Sequence, residues 1–571
     1  MLTTPTRRSQ SGSVPAGHRF AAFGAPRVPP AFVAGAALLA LYIALSLLNP
    51  PRGFLGTDTG GKVATLEVMR ERGTADPDVG YWAAAYDPDA VLHPLYYTSP
   101  VGDRYVNLTT LPMPLLVRPL YSQFGYRAAL LVPMLGAIAA AFAARALARR
   151  LGASGWLAFA VVGAASPVLI YALDLWEHAL GLGAMAWAVV VAYDVRRARL
   201  RPQWGFAVGL LFGVAATMRT EALLYGAWCV AFLAALLWRS QRKWWPPLVL
   251  GATALVGVAL PLAGNSVLER MVLGRALRAS RAIGTAQGSG TNVTLRLREA
   301  VTTTLGVRGL SDLRTEALLG LLFVGAMVGT LWCASSTRRQ SLAPKLAGLT
   351  VAIFVLLCTL GWGFVPGLLV ASPLAGVGLT ALRHRRPSRE LALLALGPLP
   401  LVWAVQYTGG AGPQWGGRYE LLSGFVLTVV GVAVVSQHHR WVQVWAVTVA
   451  LAMTAFGVSW MVVRTHTIDD ASAQIAARPE QMVVSTWSHL FREGGAYYTP
   501  DRRWLTAETR EQLDRALEIA RAEGLDTIAI VSVGPTAVDP GPGYATVRVD
   551  HIAFFADEPI TVAVVQRLAD A

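Results

Sequence analysis

Cysteine is scarce in this chain, and so is lysine. Cys229, Cys333 and Cys358 are the three cysteines, and each falls inside an apolar block. That argues against a disulfide framework or a cysteine-based metal cluster. Charge is also scarce: 15% of residues are charged against 54% hydrophobic, at a mean hydropathy of +0.47. A soluble domain is rarely so apolar, and the balance points to the membrane class. No internal repeat is visible, and no inverted pair of broken spans of the transporter kind. No cleavable signal is evident either. The first apolar block, Ala31 to Leu48, lacks a small-residue cleavage pattern and reads as an uncleaved span.

What the chain has instead is arginine. The formal net charge over 571 residues is +15. The arginines sit between apolar blocks, which is the pattern of topological charge, so no nucleic-acid partner is expected. A bilayer-spanning helix needs roughly 20 mostly apolar residues, and about thirteen blocks qualify. They centre near Leu39, Met134, Val162, Ala186, Leu210, Ala231, Ala254, Val324, Val355, Pro373, Ala395, Val429 and Leu451. With a cytosolic N-terminus, alternate loops should be arginine-rich. Arg145/Arg149/Arg150, Arg196/Arg197/Arg199/Arg201, Arg239/Arg242/Lys243, Arg338/Arg339/Lys345 and Arg383/Arg385/Arg386/Arg389 follow that rule. Of 34 Asp plus Glu, only Asp194 and Glu390 fall on the cytosolic side. An odd number of spans then puts the C-terminus outside.

The expected architecture is an α-helical polytopic membrane protein with a small outer α/β domain. Residues 1–29 read as a disordered cytosolic tail, rich in Pro and Ser. Residues 30–463 form the membrane domain, with two long outer loops at 50–126 and 264–316. Loops of that length are usually functional or carry their own helices. Leu268, Met271, Val272 and Leu277 give the second loop an amphipathic run, which suggests a helix lying in the interface. From residue 464 to 571 the composition changes. Met482 to Thr486, Thr527 to Val533, Thr546 to Phe554 and Ile560 to Val565 read as strands. Thr506 is a plausible N-cap for a helix from Glu508 to Glu523, closed by Gly524.

Chemistry-bearing residues cluster in the outer segments. GTDTGGK, Gly56 to Lys62, opens the first loop. Asp58 there can accept a proton or orient a hydroxyl, and its glycines let backbone approach a ligand. The plainer reading makes Asp58 the cap of a helix from Val63 to Arg72. Lys62 is the only outer lysine of three. DLWEH, Asp174 to His178, fills a tight outer turn. Trp176 reads as an interfacial anchor, while Glu177 and His178 could bind a sugar hydroxyl or a metal, although Glu-His alone is not a metal site, or simply form a solvated turn. In MRTEA, Arg219 either holds an anion or pairs with Glu221. GGAGPQWGGRYE, Gly409 to Glu420, holds five glycines with Trp415, Arg418, Tyr419 and Glu420. Trp415 or Tyr419 could stack on a sugar and Arg418 could bind phosphate; an ordinary Gly-rich turn is the alternative.

On these motifs the membrane part, Ala31 to Val463, resembles the GT-C glycosyltransferases. Asp58 follows the first span in a long first outer loop, and a second long loop follows the seventh span. Arg219 to Glu221 lies in an outer turn, and Trp415 to Tyr419 lies in a late Gly-rich loop. The resemblance implies inverting transfer of a sugar from a polyprenyl-phosphate carrier to an acceptor glycan, lipid or protein outside a bacterial inner membrane. It gives Asp58 the role of catalytic base and Arg418, Arg219 and Lys62 that of donor-phosphate ligands. Glu177, His178, Glu221, Trp415, Tyr419 and Glu420 become substrate-binding residues. The chain departs from the pattern in lacking an Asp-Asp or Glu-Asp pair after the first span, so a divalent cation stays an open cofactor. A flippase for a lipid-linked sugar, a glycan polymerase or ligase, and a binding protein remain the alternatives. The outer domain is expected to orient the acceptor and to carry no catalytic group.

Overall fold

The computed structural model describes residues 29–108, 111–276, 293–308, 313–359, 365–383, 387–405, 415–555 and 558–568. Among these residues, nine helices are long and apolar enough to cross a membrane. Three shorter apolar helices, Pro30–Ser46, Gly155–Ala164 and Pro202–Met218, join them. Every expected centre falls on or beside helix; around Pro373 the chain breaks into the short helices Leu368–Ala371 and Pro373–Gly378. Length and composition make this an integral membrane protein, with a sheet domain at its C-terminal end.

Small residues set the helix packing. Gly205, Gly209 and Gly213 recur every fourth residue along one face of the Gly205–Met218 helix. A methyl group added at these positions would meet the carbonyls of Leu250, Ala254 and Val258 respectively on the Trp245–Leu273 helix. Gly136 and Gly183 do the same for the helices Leu131–Arg150 and His178–Arg196. Close backbones are how helices gain contact in lipid, where apolar burial drives little. Ion pairs then mark the helix ends. The His178–Arg196 helix carries Glu177 before one end and Asp194 near the other. Asp194 accepts from Arg150 Nε at 2.7 Å, and Glu390 accepts from Arg196 at 3.1 Å. The two carboxylates assigned to the cytosol thus share one end of the bundle with the arginines assigned there.

The Trp245–Leu273 helix absorbs Leu268, Met271 and Val272, so these residues extend a span instead of forming a separate interfacial helix. At about 1.5 Å per residue it outreaches a hydrocarbon core roughly 30 Å thick. Leu277 lies outside the described residues.

The first long loop folds into a helix (Thr57–Glu71), a hairpin (Thr98–Val101 with Arg104–Asn107) and a second helix (Pro112–Phe124). It packs directly on the C-terminal domain. Tyr81, Ala83 and Leu92 share a core with Met482, Leu505 and Ile528. Trp82 donates to the Trp504 carbonyl at 3.1 Å, and the Thr506 amide donates to Leu92 at 2.9 Å. The domain itself is a five-stranded sheet in the order Trp504–Thr506, Met482–Ser485, Thr527–Val533, Ile560–Arg567, Tyr544–Ile552. The first three strands are parallel, and the last two add antiparallel pairs. Thr506 ends a strand missing from the sequence reading. The helix starts at Arg510, with Thr509 capping Gln512 in a capping box. The composition change at 463 falls inside a continuous helix, Arg440–Ala476, so a rigid rod carries the membrane domain into the sheet domain.

Candidate functional site

Asp58 sits in the first turn of the Thr57–Glu71 helix but does not cap it. The N-cap is Gly56, which has no side-chain bond to offer. The carboxylate instead receives two arginines from distant parts of the chain. Arg418 donates to Oδ2 at 3.0 Å, and Arg492 donates to Oδ1 at 3.2 Å. Arg418 opens the last turn before the buried Leu421–Val435 helix; Arg492 lies on Leu490–Glu493 of the C-terminal domain. Burial pushes the Asp58 carboxyl up, but Arg418 and Arg492, then Lys62 and Arg219, outweigh it and hold the group well below the usual carboxylate range.

A second ionic cluster adjoins the first. Lys62 lies one turn on from Asp58 and is bonded to Glu177. Arg219 donates to Glu177 at 3.3 Å and to Glu221 at 2.9 Å. Glu177 is also held below the usual range: burial raises it, and Lys62 and Arg219 outweigh that. Tyr419 lies between the clusters, with Arg219 and Arg418 over its ring at 5.0 and 4.7 Å and Arg418 donating to its hydroxyl at 2.9 Å. Asp174 stands beside them, bonded by Thr59 at 2.7 Å and Tyr126 at 2.8 Å.

Four residues singled out by sequence take other positions. Trp415 is buried and packs on Phe456, Trp460 and Gly457, so it cannot stack on a ligand. Trp176 is likewise buried, its ring against Gly56 and Tyr171, and is no interfacial anchor. Glu420 is buried and accepts from Trp403 at 2.7 Å and Thr304 at 2.9 Å, away from Asp58. His178 is buried between Tyr171 and Trp176, and neither ring nitrogen has a hydrogen-bond partner among the described residues. Gly409 to Gln414 lie outside the described residues.

Arg492 is the residue the sequence reading missed, in a domain expected to carry none. Its only local sign is a charged pair, Arg492-Glu493, set between Leu490-Phe491 and Gly494-Gly495. Tyr97 is the second omission. It holds φ +68 without being glycine, a strained conformation of the kind found at ligand sites. Its ring carries the Arg492 guanidinium at 5.1 Å. Among the described residues, no three His, Cys, Asp or Glu side chains gather as a metal site would require.

Solved structures share the arrangement of this chain only loosely. ArnT from Cupriavidus metallidurans, bound to undecaprenyl phosphate, matches at 14% identity over 92% of this chain and 97% of its own, with a TM-score of 0.38. Its apo form matches at 14% identity over 94% and 98%, with a TM-score of 0.36. The oligosaccharyltransferase of Archaeoglobus fulgidus, in complex with Zn and sulfate, matches at 11% identity over 86% of this chain and 67% of its own, with a TM-score of 0.40. No family model matches the chain, and no curated protein does.

Proposed function

We propose that the chain is a membrane glycosyltransferase of the GT-C kind, moving a sugar from a polyprenyl-phosphate donor to an acceptor hydroxyl at the outer face of a bacterial inner membrane. The observation that supports this best is the pair of Asp58 and Arg418, a carboxylate and a guanidinium in contact where membrane helices end. In this reading the acceptor oxygen attacks the sugar C1 and a new C–O bond forms. The C1–O bond to phosphate breaks, the hydroxyl proton passes to Asp58, and polyprenyl phosphate leaves. Arg418 stabilises the charge that develops on the leaving phosphate, with Arg219 and Lys62 behind it. Tyr419 lies beside Arg418 in this arrangement, and Glu177 and Glu221 hold Arg219 and Lys62 behind it.

A flippase would place ionic groups near the middle of the bilayer. Here Glu177, Arg219 and Arg418 stand at helix ends, which favours chemistry at the surface. The test is the purified chain in nanodiscs with labelled undecaprenyl-phosphate sugars and a membrane extract as acceptor. Transfer should appear as a mass increment of one sugar on the product. Donor translocation without any transferred product would overturn the reading.

A further inference from the structure

We propose that Arg492 of the C-terminal domain and Arg418 of the membrane domain form one clamp for the donor's phosphate, with Asp58 as the placeholder that the phosphate displaces. This rests on the glycosyl-transfer reading, since it names the phosphate site of that reaction.

Charge is the first argument. In the inner cluster Lys62 and Arg219 face Glu177 and Glu221, two against two. In the outer cluster Arg418 and Arg492 face Asp58 alone, two against one. The neighbouring carboxylates are committed: Glu493 accepts from Arg464 at 2.7 Å, and Asp174 accepts from Thr59 and Tyr126. Arg492, 3% exposed, and Arg418, 10% exposed, therefore share Asp58 as their ion-pair partner among the described residues. Buried charges need partners. A phosphodiester supplies a second anion that two such guanidinium groups can hold.

Donor atoms are the second argument. Arg418 and Arg492 each retain a buried Nε without a hydrogen-bond partner among the described residues. A guanidinium presents its N–H groups as a fork that matches phosphate oxygens. The rings of Tyr419 and Tyr97 hold the two forks in place.

The third argument is rigidity. A methyl group added at Gly60 would strike the Arg492 carbonyl, and one at Gly495 would strike the Gly60 carbonyl. Arg464 ties the same contact by donating to Leu55 at 2.8 Å as well as to Glu493. The glycines beside Asp58 thus seat the C-terminal domain and aim Arg492. Asp58, at 29% side-chain exposure, is the open point of the assembly. Two arginines make it a weak base; a phosphate that draws them off restores its basicity just when an acceptor is needed. Donor binding should therefore precede proton transfer.

The experiment uses the full chain in nanodiscs and measures binding of undecaprenyl phosphate, undecaprenol and inorganic phosphate. Arg492→Ala and Arg418→Ala should each weaken both phosphate probes by about 10–100-fold, the range of a lost charge-assisted bond, and leave undecaprenol unchanged. Asp58→Asn should tighten both phosphate probes several-fold, because the competitor for the arginines is gone. Wild-type phosphate affinity in Arg492→Ala, or equal or weaker affinity in Asp58→Asn at unchanged melting temperature, overturns the clamp. Equal losses for undecaprenol overturn it too, since the arginines would then act on the fold. If Arg492→Ala unfolds, Arg492→Lys and Arg492→Gln at wild-type melting temperature decide. A wild type that binds none of the probes removes the glycosyl-transfer reading along with the clamp; one that binds while every variant matches it removes the clamp alone.

Discussion

Two ionic clusters lie side by side in this protein and are built on opposite principles. Lys62, Glu177, Arg219 and Glu221 are balanced in charge, with side chains between 1% and 9% exposed. Arg418, Asp58 and Arg492 are unbalanced, and Asp58 is 29% exposed. A balanced buried network fixes structure, whereas an unbalanced one with an opening suits a ligand. The inner cluster joins helix ends of the membrane domain; the outer one joins that domain to the sheet domain. Substitutions should separate the two by what they damage.

The largest effect is expected inside the balanced cluster. Glu177→Gln leaves Lys62 and Arg219 buried with too little negative charge. Removing one partner of a buried pair costs about 3–5 kcal/mol. Thermal unfolding in detergent should show a large drop in melting temperature, with lipid-phosphate binding by the fraction still folded little changed. A melting temperature equal to wild type would mean that the cluster is not structural.

Asp58→Asn should do the reverse. Turnover of folded protein falls by at least about 10²-fold, the worth of a general base, while stability falls less than in Glu177→Gln, because Asp58 is the partly open member of its cluster even though Arg418 and Arg492 lose the carboxylate they share. Single-turnover rates beside melting curves check this. Near-wild-type turnover would remove Asp58 from the chemistry. The pH dependence sharpens the same point. Asp58's carboxyl is held low by Arg418 and Arg492. Its contribution to stability is therefore present above the ordinary carboxylate range and lost as pH falls through its depressed value. Arg492→Gln removes one of the two cations, so the acid limb of kcat/KM in the free enzyme should move to higher pH. A limb unmoved by that change would show that another group titrates.

A smaller effect is expected from wedging the C-terminal domain away from the Thr57–Glu71 helix. Gly495→Val pushes against the Gly60 carbonyl. It should shift Arg492 by about an ångström, and a misplacement of that size can cost up to about 10²-fold. Turnover should fall while membrane insertion and the melting of the helical part are kept. Gly524→Val, in the turn that follows the Arg510–Ala522 helix and with nothing within 4 Å of an added methyl group, serves as the comparison for a glycine whose loss strains only its own turn.

Much of the membrane architecture was legible because hydropathy is local: each expected span centre lands on or beside a helix. The Arg219–Glu221 pair was legible for the same reason, its members being two residues apart. Asp58 and Arg418 stand out in sequence as a possible base and a possible phosphate ligand, but not as partners, since 360 residues separate them. Arg492 is 434 residues from Asp58, and the Lys62–Glu177 bond spans 115. No periodicity encodes such pairs. Trp415 shows the opposite error: an aromatic in a Gly-rich loop reads as a ligand platform until its ring is found against Gly457. The glycines of GTDTGGK read as room for a ligand, whereas in the fold Gly60 makes room for the backbone of Arg492.

The smallest effect belongs to the far end of the bundle, and it sets the scale for the rest. Arg150 and Arg196 pair with Asp194 and Glu390 there, with arginine side chains 22% and 14% exposed. Arg199 joins Arg150 on Asp194, so three arginines meet two buried carboxylates there, with the arginine side chains more open than those of the inner cluster; fully exposed pairs contribute about 0.2–1 kcal/mol, and these lie between that and the inner cluster. Arg196→Ala should therefore lower stability less than Glu177→Gln does and leave transfer within about twofold, since Arg196 and Glu390 are bonded to each other and not to the Asp58 site. The informative reading is topological. If these arginines hold the cytosolic side, replacing several together should disturb orientation before it disturbs chemistry. A reporter fused after the last strand would then lose its outer-face signal, while correctly oriented molecules keep full turnover. A large loss of turnover in correctly oriented Arg196→Ala would show that the two ends of the bundle are coupled, and that the division between structural and ligand-ready ion pairs does not hold.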